Sequence, residues 1–413
     1  MTTGDTAAAT TRPDMRTTVV AVTSTYALQG LGYAVVVTAL PSFQSRHALD
    51  ATLVAIILLG VCVAAAAGSV VADVVAVRGG SRQAVRAGFA LQTGALVVIA
   101  LSPSLPVFVV AVAGYGVGLG AIDAASNMQG VMLERRRERP WLGRLFAAYT
   151  TGAIVGALVM SAVLATRAGA LAALLVAASL QLAFLVLVSP ALDRARAARP
   201  PRSAATRAGA AIPVGPVVAI GCLVLAAFTV DAAVSTWSSV HLASLGVAAA
   251  IAPLGYAVYQ AGVLGARLLV DPVTRRIGRA RLSLVGVVMG VVGGLVVALV
   301  PGPGPAVVAF ALSGLAVGAL VPLAFGAVAS VLPARTDEVV ARVNLFNYVG
   351  ALLGAVGVGA LIEGAGALAF LLPTVVLLCA LSGWRWMRRS RSWPTRPVGI
   401  DGPAQGTTTS LPG

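Results

Sequence analysis

The stretch Asp271-Pro-Val-Thr-Arg275-Arg276-Ile-Gly278-Arg279 repeats, in altered form, an earlier one, Asp73-Val-Val-Ala-Val-Arg78-Gly-Gly80-Ser-Arg82. At an offset of 198, Asp73, Arg78, Gly80 and Gly88 fall on Asp271, Arg276, Gly278 and Gly286. The same offset carries Arg144, Gly152, Gly156 and Ala157 onto Arg342, Gly350, Gly354 and Ala355. An offset of 200 carries Gly114 and Gly118 onto Gly314 and Gly318. One match means little in a glycine-rich chain. A nearly constant offset at equivalent loops and helices indicates a duplicated half.

Composition says what is duplicated. Hydrophobic residues make up 58% of the 413 positions and charged residues 10%, against about 25% charged in an ordinary globular protein. So few charges could not cover a soluble surface of this size, and so much apolar side chain excludes a disordered chain. About 20 apolar residues cross a bilayer as a helix. Twelve such runs are predicted at 17–40, 51–76, 84–101, 105–133, 145–166, 169–188, 214–240, 247–270, 282–300, 306–332, 343–362 and 367–387. They are continuous and lack the alternation of a membrane β-barrel. The fold expected is all-α and polytopic, and the first run is too long for a cleaved signal.

Arginine placement tests the count. All 29 basic residues are Arg, and the net charge is +15. With the N-terminus and every even loop assigned to the cytoplasm, 26 arginines fall inside and two, Arg46 and Arg167, outside, while Arg267 lies within the eighth run. Such asymmetry fits twelve spans with both termini cytoplasmic. It also gives the positive charge a topogenic role instead of a nucleic-acid one. The domains expected are a tail at 1–16, a six-helix bundle at 17–188, a basic linker at 189–213, a second bundle at 214–387 and a disordered tail at 388–413. Cys62, Cys222 and Cys379 all lie in apolar runs, which predicts neither disulfides nor a metal site. His47 and His241 are placed in outer loops.

A duplicated six-plus-six chain with a basic central loop resembles the major facilitator superfamily, over residues 17–387. The resemblance implies two pseudo-symmetric bundles around a midplane cavity that opens to alternate sides. It also implies a monomer in a cell membrane, with a solute and protons as partners and no cofactor. The Asp271 stretch is similar to the superfamily's cytoplasmic gate motif, in which an acid at a helix end pairs with nearby arginines. The gate residues expected are Asp73, Arg78, Arg267, Asp271, Arg275 and Arg276, with Arg267 pairing with Asp271 one turn away.

Ionisable residues inside spans are costly and point to function. Of 14 acidic residues, only Asp123 and Asp231 lie well inside a run. Asp123 follows glycines 114, 116, 118 and 120 and shares a helix face with Asn127. This segment resembles the fourth helix of the fucose-permease-like branch, where an acid four residues before Asn is implicated in carrying the proton. Asp231, which precedes Trp237-Ser238, also resembles that branch. Desolvation favours the neutral form of a carboxyl group, so an acid beside a cavity can load and release protons as the cavity changes sides.

Tyr26, Gln29 and Tyr33 on one face of the first helix, Asn127, Tyr149, Trp237, Asn344 and Asn347 are the remaining cavity candidates. Serines lack a His/Asp set and no phosphate-cradling Gly-Lys loop is present, so hydrolase and ATPase readings fail. Gly143, Gly152 and Gly156 partly match the antiporter motif of drug exporters. A sugar needs many fixed hydrogen bonds, and intramembrane amides are scarce. The sequence therefore leans to proton-coupled efflux of a drug-like or secondary-metabolite molecule, with proton-coupled import of a sugar or other small nutrient as the alternative.

Overall fold

A computed structural model describes residues 14–139, 141–193, 214–331 and 336–389. Most of the 189–213 linker and of the 388–413 tail lies outside the described residues, as does the N-terminal tail up to residue 13. Every element among the described residues is helical: α1 (Met15–Thr38), α2 (Leu40–His47), α3 (Ala51–Gly79), α4 (Ser81–Leu101), α5 (Leu105–Arg137), α6 (Leu142–Leu164), α7 (Gly169–Ala183), α8 (Val214–Ser244), α9 (Pro253–Ile277), α10 (Arg279–Leu299), α11 (Pro303–Val331), α12 (Thr336–Leu352), α13 (Val358–Ala365) and α14 (Leu371–Arg389). Lipid offers the backbone no hydrogen bonds, so apolar runs must satisfy their own amides as helices.

Ten described helices are long and apolar enough to cross a membrane on those criteria alone. Two corrections bring the spans to twelve. Helix α9 falls short because Tyr256, Tyr259, Gln260 and Arg267 interrupt it. The stretch Arg342–Leu381, 40 residues counted as one, turns back at Gly366, whose φ of 54° lies in the left-handed region. Helices α12 and α13 form one span, joined through the wider π-turn Leu353–Gly357, and α14 forms the next. The short α2, with Pro41 in its first turn, was not foreseen.

The duplication governs the packing. In the first half α1 packs on α6, α3 and α4 on α5, and α7 on α4. In the second, α8 packs on α12, α9 and α10 on α11, and α14 on α10. The correspondence reaches single contacts. A Cβ on Gly152 would lie 1.9 Å from the Ala27 carbonyl oxygen, and one on Gly350 would lie 2.4 Å from that of Leu225. Both the glycine and its partner are displaced by 198. Absence of a side chain lets the helix backbones touch, as bilayer packing requires.

The same contacts correct the offset of 200. Gly114 and Gly118 face Ala95 and Gln92 of α4, whereas Gly314 and Gly318 meet the carbonyls of Tyr259 and Val263 in α9. Their equivalents are Gly116 and Gly120, which meet Val61 and Ala65 of α3. The offset is 198 throughout.

The halves are bonded at the arginine-poor end. Glu363 of α13 accepts the Ala51 amide of α3 at 2.6 Å and the Thr52 hydroxyl at 3.4 Å. Ser161 Oγ of α6 donates to the Ala250 carbonyl at 2.5 Å. The outward faces carry exposed Val63, Val70, Val110, Leu187 and Leu268, which suit hydrocarbon.

Candidate functional site

Helices α1 and α5 run antiparallel and are cross-bonded through two polar pairs. Gln29 Nε2 donates to Asp123 Oδ1, and Tyr26 Oη donates to Asn127 Oδ1 at 3.0 Å. The spacings i, i+3 on α1 and i, i+4 on α5 set the four side chains on facing stripes. Asn127 is therefore engaged by Tyr26. Gln29 and Tyr26 are buried, yet Asp123 and Asn127 remain exposed while Asp123 sits deep among protein atoms. That combination describes an acid facing an open interior space.

Asp231 lies on α8 of the second half. It accepts the hydroxyl of Tyr259 on α9 and is half-buried. Tyrosines link the two acids. Tyr33 and Tyr149 lie within electrostatic range of both Asp123 and Asp231. Tyr26 and Tyr115 interact with Asp123, and Tyr256 and Tyr259 with Asp231. Six of the chain's seven tyrosines thus lie within electrostatic range of one or both of two carboxylates contributed by opposite halves.

Tyr115, Tyr256 and Tyr259 are residues that the sequence reading missed. Its polar inventory stressed amides and tryptophan, although Tyr256 and Tyr259 stand beside Gln260 on one helix. The Tyr115 hydroxyl is sealed inside the protein and makes no hydrogen bond among the described residues.

Arg267 corrects an expectation. Its guanidinium crosses between the halves, donating to Thr150 Oγ1 at 2.6 Å and to the Phe146 carbonyl at 3.2 Å in α6. It lies 6.0 Å from the Phe146 ring centroid and within electrostatic range of Asp231. It does not pair with Asp271, because the i+4 geometry on α9 points to the helix end whereas α6 offers acceptors nearer the midplane.

A family model described as Major Facilitator Superfamily matches residues 22–311 and 219–409. The chain belongs to the major facilitator superfamily. It is 25% identical over 355 residues to an uncharacterised MFS-type transporter of Yersinia pestis, covering 84% of this chain and 91% of that one. Membrane protein MosC of Rhizobium meliloti is 24% identical over 382 residues, covering 90% and 91%. The fold of this chain resembles that of a bacterial homologue of the human lysosomal transporter Spinster, solved inward-facing and unoccupied. That likeness has a TM-score of 0.72 and 13% identity, covering 92% of this chain and 97% of that one. A variant of the nucleoside transporter NupG gives 0.71 and 12% identity, covering 89% and 99%.

Within a superfamily fold, the other candidate residues separate clearly. Trp237 is fully buried and donates its indole N–H to the Ala355 carbonyl at 2.8 Å, so it fastens α8 to the π-turn and does not line the central space. Asn347 donates to Asn344 at 3.3 Å along α12. At the arginine-rich end, Asp271 is exposed and, among the described residues, makes no hydrogen bond or ion pair. Arg275, Arg276 and Arg78 are exposed, and Asp73 is half-buried. Arg279 instead reaches the Gly326 carbonyl at 3.0 Å. His241 lies in the last turn of α8 and is buried, against its expected loop position.

Proposed function

We propose that this superfamily member is a proton-coupled carrier of a small polar solute, bound at the centre between Asp123 and Asp231. One observation carries the reading: two carboxylates inside apolar runs, one from each half, both lie within electrostatic range of Tyr33 and Tyr149. Each carboxylate accepts one neutral donor, from Gln29 or Tyr259, so neither is locked in an ion pair and each can take up a proton. Protonating one acid changes what it offers to solute and neighbours, and rocking of the halves exposes it to alternate sides.

The efflux preference drew on a lining poor in hydrogen-bonding groups. The half-buried Tyr33 and Tyr149, with the guanidinium of Arg267, add such groups near the acids, and the two tyrosine rings suit a sugar-like or nucleoside-like solute. Gly152 and Gly156, part of the antiporter-like pattern, are accounted for by packing on α1. Import of a polar nutrient by proton symport is therefore the better reading. The arginine-rich ends and both termini face the cytoplasm in this proposal, with Asp73, Arg78, Asp271, Arg275 and Arg276 at the inner gate.

The test is flux into vesicles with an imposed pH gradient, screened across solute classes and beginning with nucleosides, the solute named for the structurally similar NupG. Solute-dependent alkalinisation of the external medium is expected. Gradient-independent flux of every solute that is carried would overturn the coupling, and solute-driven proton release in exchange would reinstate antiport.

A further inference from the structure

At the arginine-poor end a second cavity, of about 430 Å³, lies between the halves and away from the tyrosine cluster. Its wall includes the carboxylates of Asp50 and Glu363, the imidazole of His241, the amide of Gln44 and the apolar Val240 and Ile362. Among the described residues, no arginine lines it. The volume falls within the range of small-molecule sites, roughly 300–1,000 Å³.

The two acids converge because both serve the first turn of α3. Asp50 accepts the Leu53 amide at 2.6 Å from its own helix, and Glu363 accepts the Ala51 amide from the opposite half. Both acids are exposed, and the positive end of one helix, worth about half a charge, offsets only part of their charge. His241 is a separate sign of an unfilled site. It is 5% exposed, lines the cavity, and its ring nitrogens have no hydrogen-bond partner among the described residues. Its ring contacts are with Phe310 and Phe370, at 5.4 and 6.3 Å for Phe370 and Phe310 respectively. A buried polar ring without a partner is costly unless something fills its bonding capacity.

We propose that this cavity binds a small organic cation, a protonated amine carrying an apolar group. The carboxylates of Asp50 and Glu363 hold the charge, an ammonium N–H donates to a ring nitrogen of His241, and the apolar body lies against Val240 and Ile362. Glu363 and Asp50 come from different halves, so the occupant binds when they are closed at this end and holds them closed. The site does not rest on the proton role of Asp123.

The test is equilibrium binding of benzylammonium to the purified full chain in detergent, with phenylacetate as a probe of similar size and opposite charge. Saturable binding of the cation is expected, with at least tenfold weaker binding of phenylacetate. Asp50→Asn with Glu363→Gln should weaken the cation by about tenfold or more, while Asp123→Asn leaves it within twofold; circular dichroism and elution volume check that each variant is folded. His241→Phe, which keeps the ring and removes its nitrogens, should weaken it measurably. Absence of saturable binding, equal affinity for the anion, or loss on Asp123→Asn with retention in the Asp50/Glu363 variant would overturn the proposal. Failure of gradient-driven transport would leave this binding result intact, so the two readings fail separately.

Discussion

Arg267 of α9 and Thr150 of α6 join the two halves near the middle of the molecule, with guanidinium nitrogen and hydroxyl oxygen 2.6 Å apart. A charged hydrogen bond of this kind contributes about 1.5–3 kcal/mol, enough to bias which side is open. Arg267→Ala is expected to lower the transport rate about tenfold. A double-mutant cycle with Thr150→Val should return a coupling of about 1 kcal/mol or more in thermal stability. Additive effects would show that the contact is incidental.

Asp123→Asn keeps shape and hydrogen bonding to Gln29 but cannot ionise. It is expected to abolish accumulation driven by a pH gradient while leaving solute counterflow at half the native rate or better. Counterflow and gradient-driven uptake are measured side by side in the same vesicles. Native accumulation by this variant would remove Asp123 from the proton path.

Tyr259→Phe withdraws the donor to Asp231 without changing packing volume appreciably. The carboxylate then lacks its only described hydrogen bond, and the ionised form is less well supported. The pH at half-maximal uptake should move upward relative to the native protein. A change in KM alone, with the profile unmoved, would assign Tyr259 to solute contact.

Glycine substitutions in α6 should divide sharply. At Gly152 a side chain would meet the Ala27 backbone, whereas at Gly143 nothing lies within 4 Å of the added carbon. Gly152→Val is expected to cost about 1–3 kcal/mol or more, and its repeat equivalent Gly350→Val a similar amount. Gly143→Ala should leave the melting temperature within a degree. Equal tolerance at 143 and 152 would contradict the close helix approach.

The frame was legible because its signals are local and cumulative. Apolar runs, arginine asymmetry and the 198-residue offset need no knowledge of what touches what. Asp123 and Asp231 were legible for the same reason, since a carboxylate inside an apolar run is visible as a cost. What escaped reading depended on partners distant in sequence. Arg267 was assigned to Asp271, four residues away, although Thr150 is its neighbour in space. Trp237 reads as a cavity residue in the sequence, whereas its N–H is bonded to the Ala355 carbonyl. The tyrosine cluster was missed because no two-residue spacing reveals that α1, α5, α6, α8 and α9 converge.

The twofold frame has a consequence for the chemistry it carries. Displacement by 198 takes Asp231 to Tyr33 and Asp123 to Val321, so the glycine joints are mirrored but the acids are not. A protein assembled from two copies of the first half would keep its scaffold and possess a pair of Asp123 carboxylates with no Asp231. The architecture is inherited in duplicate, and the working groups have been individually acquired.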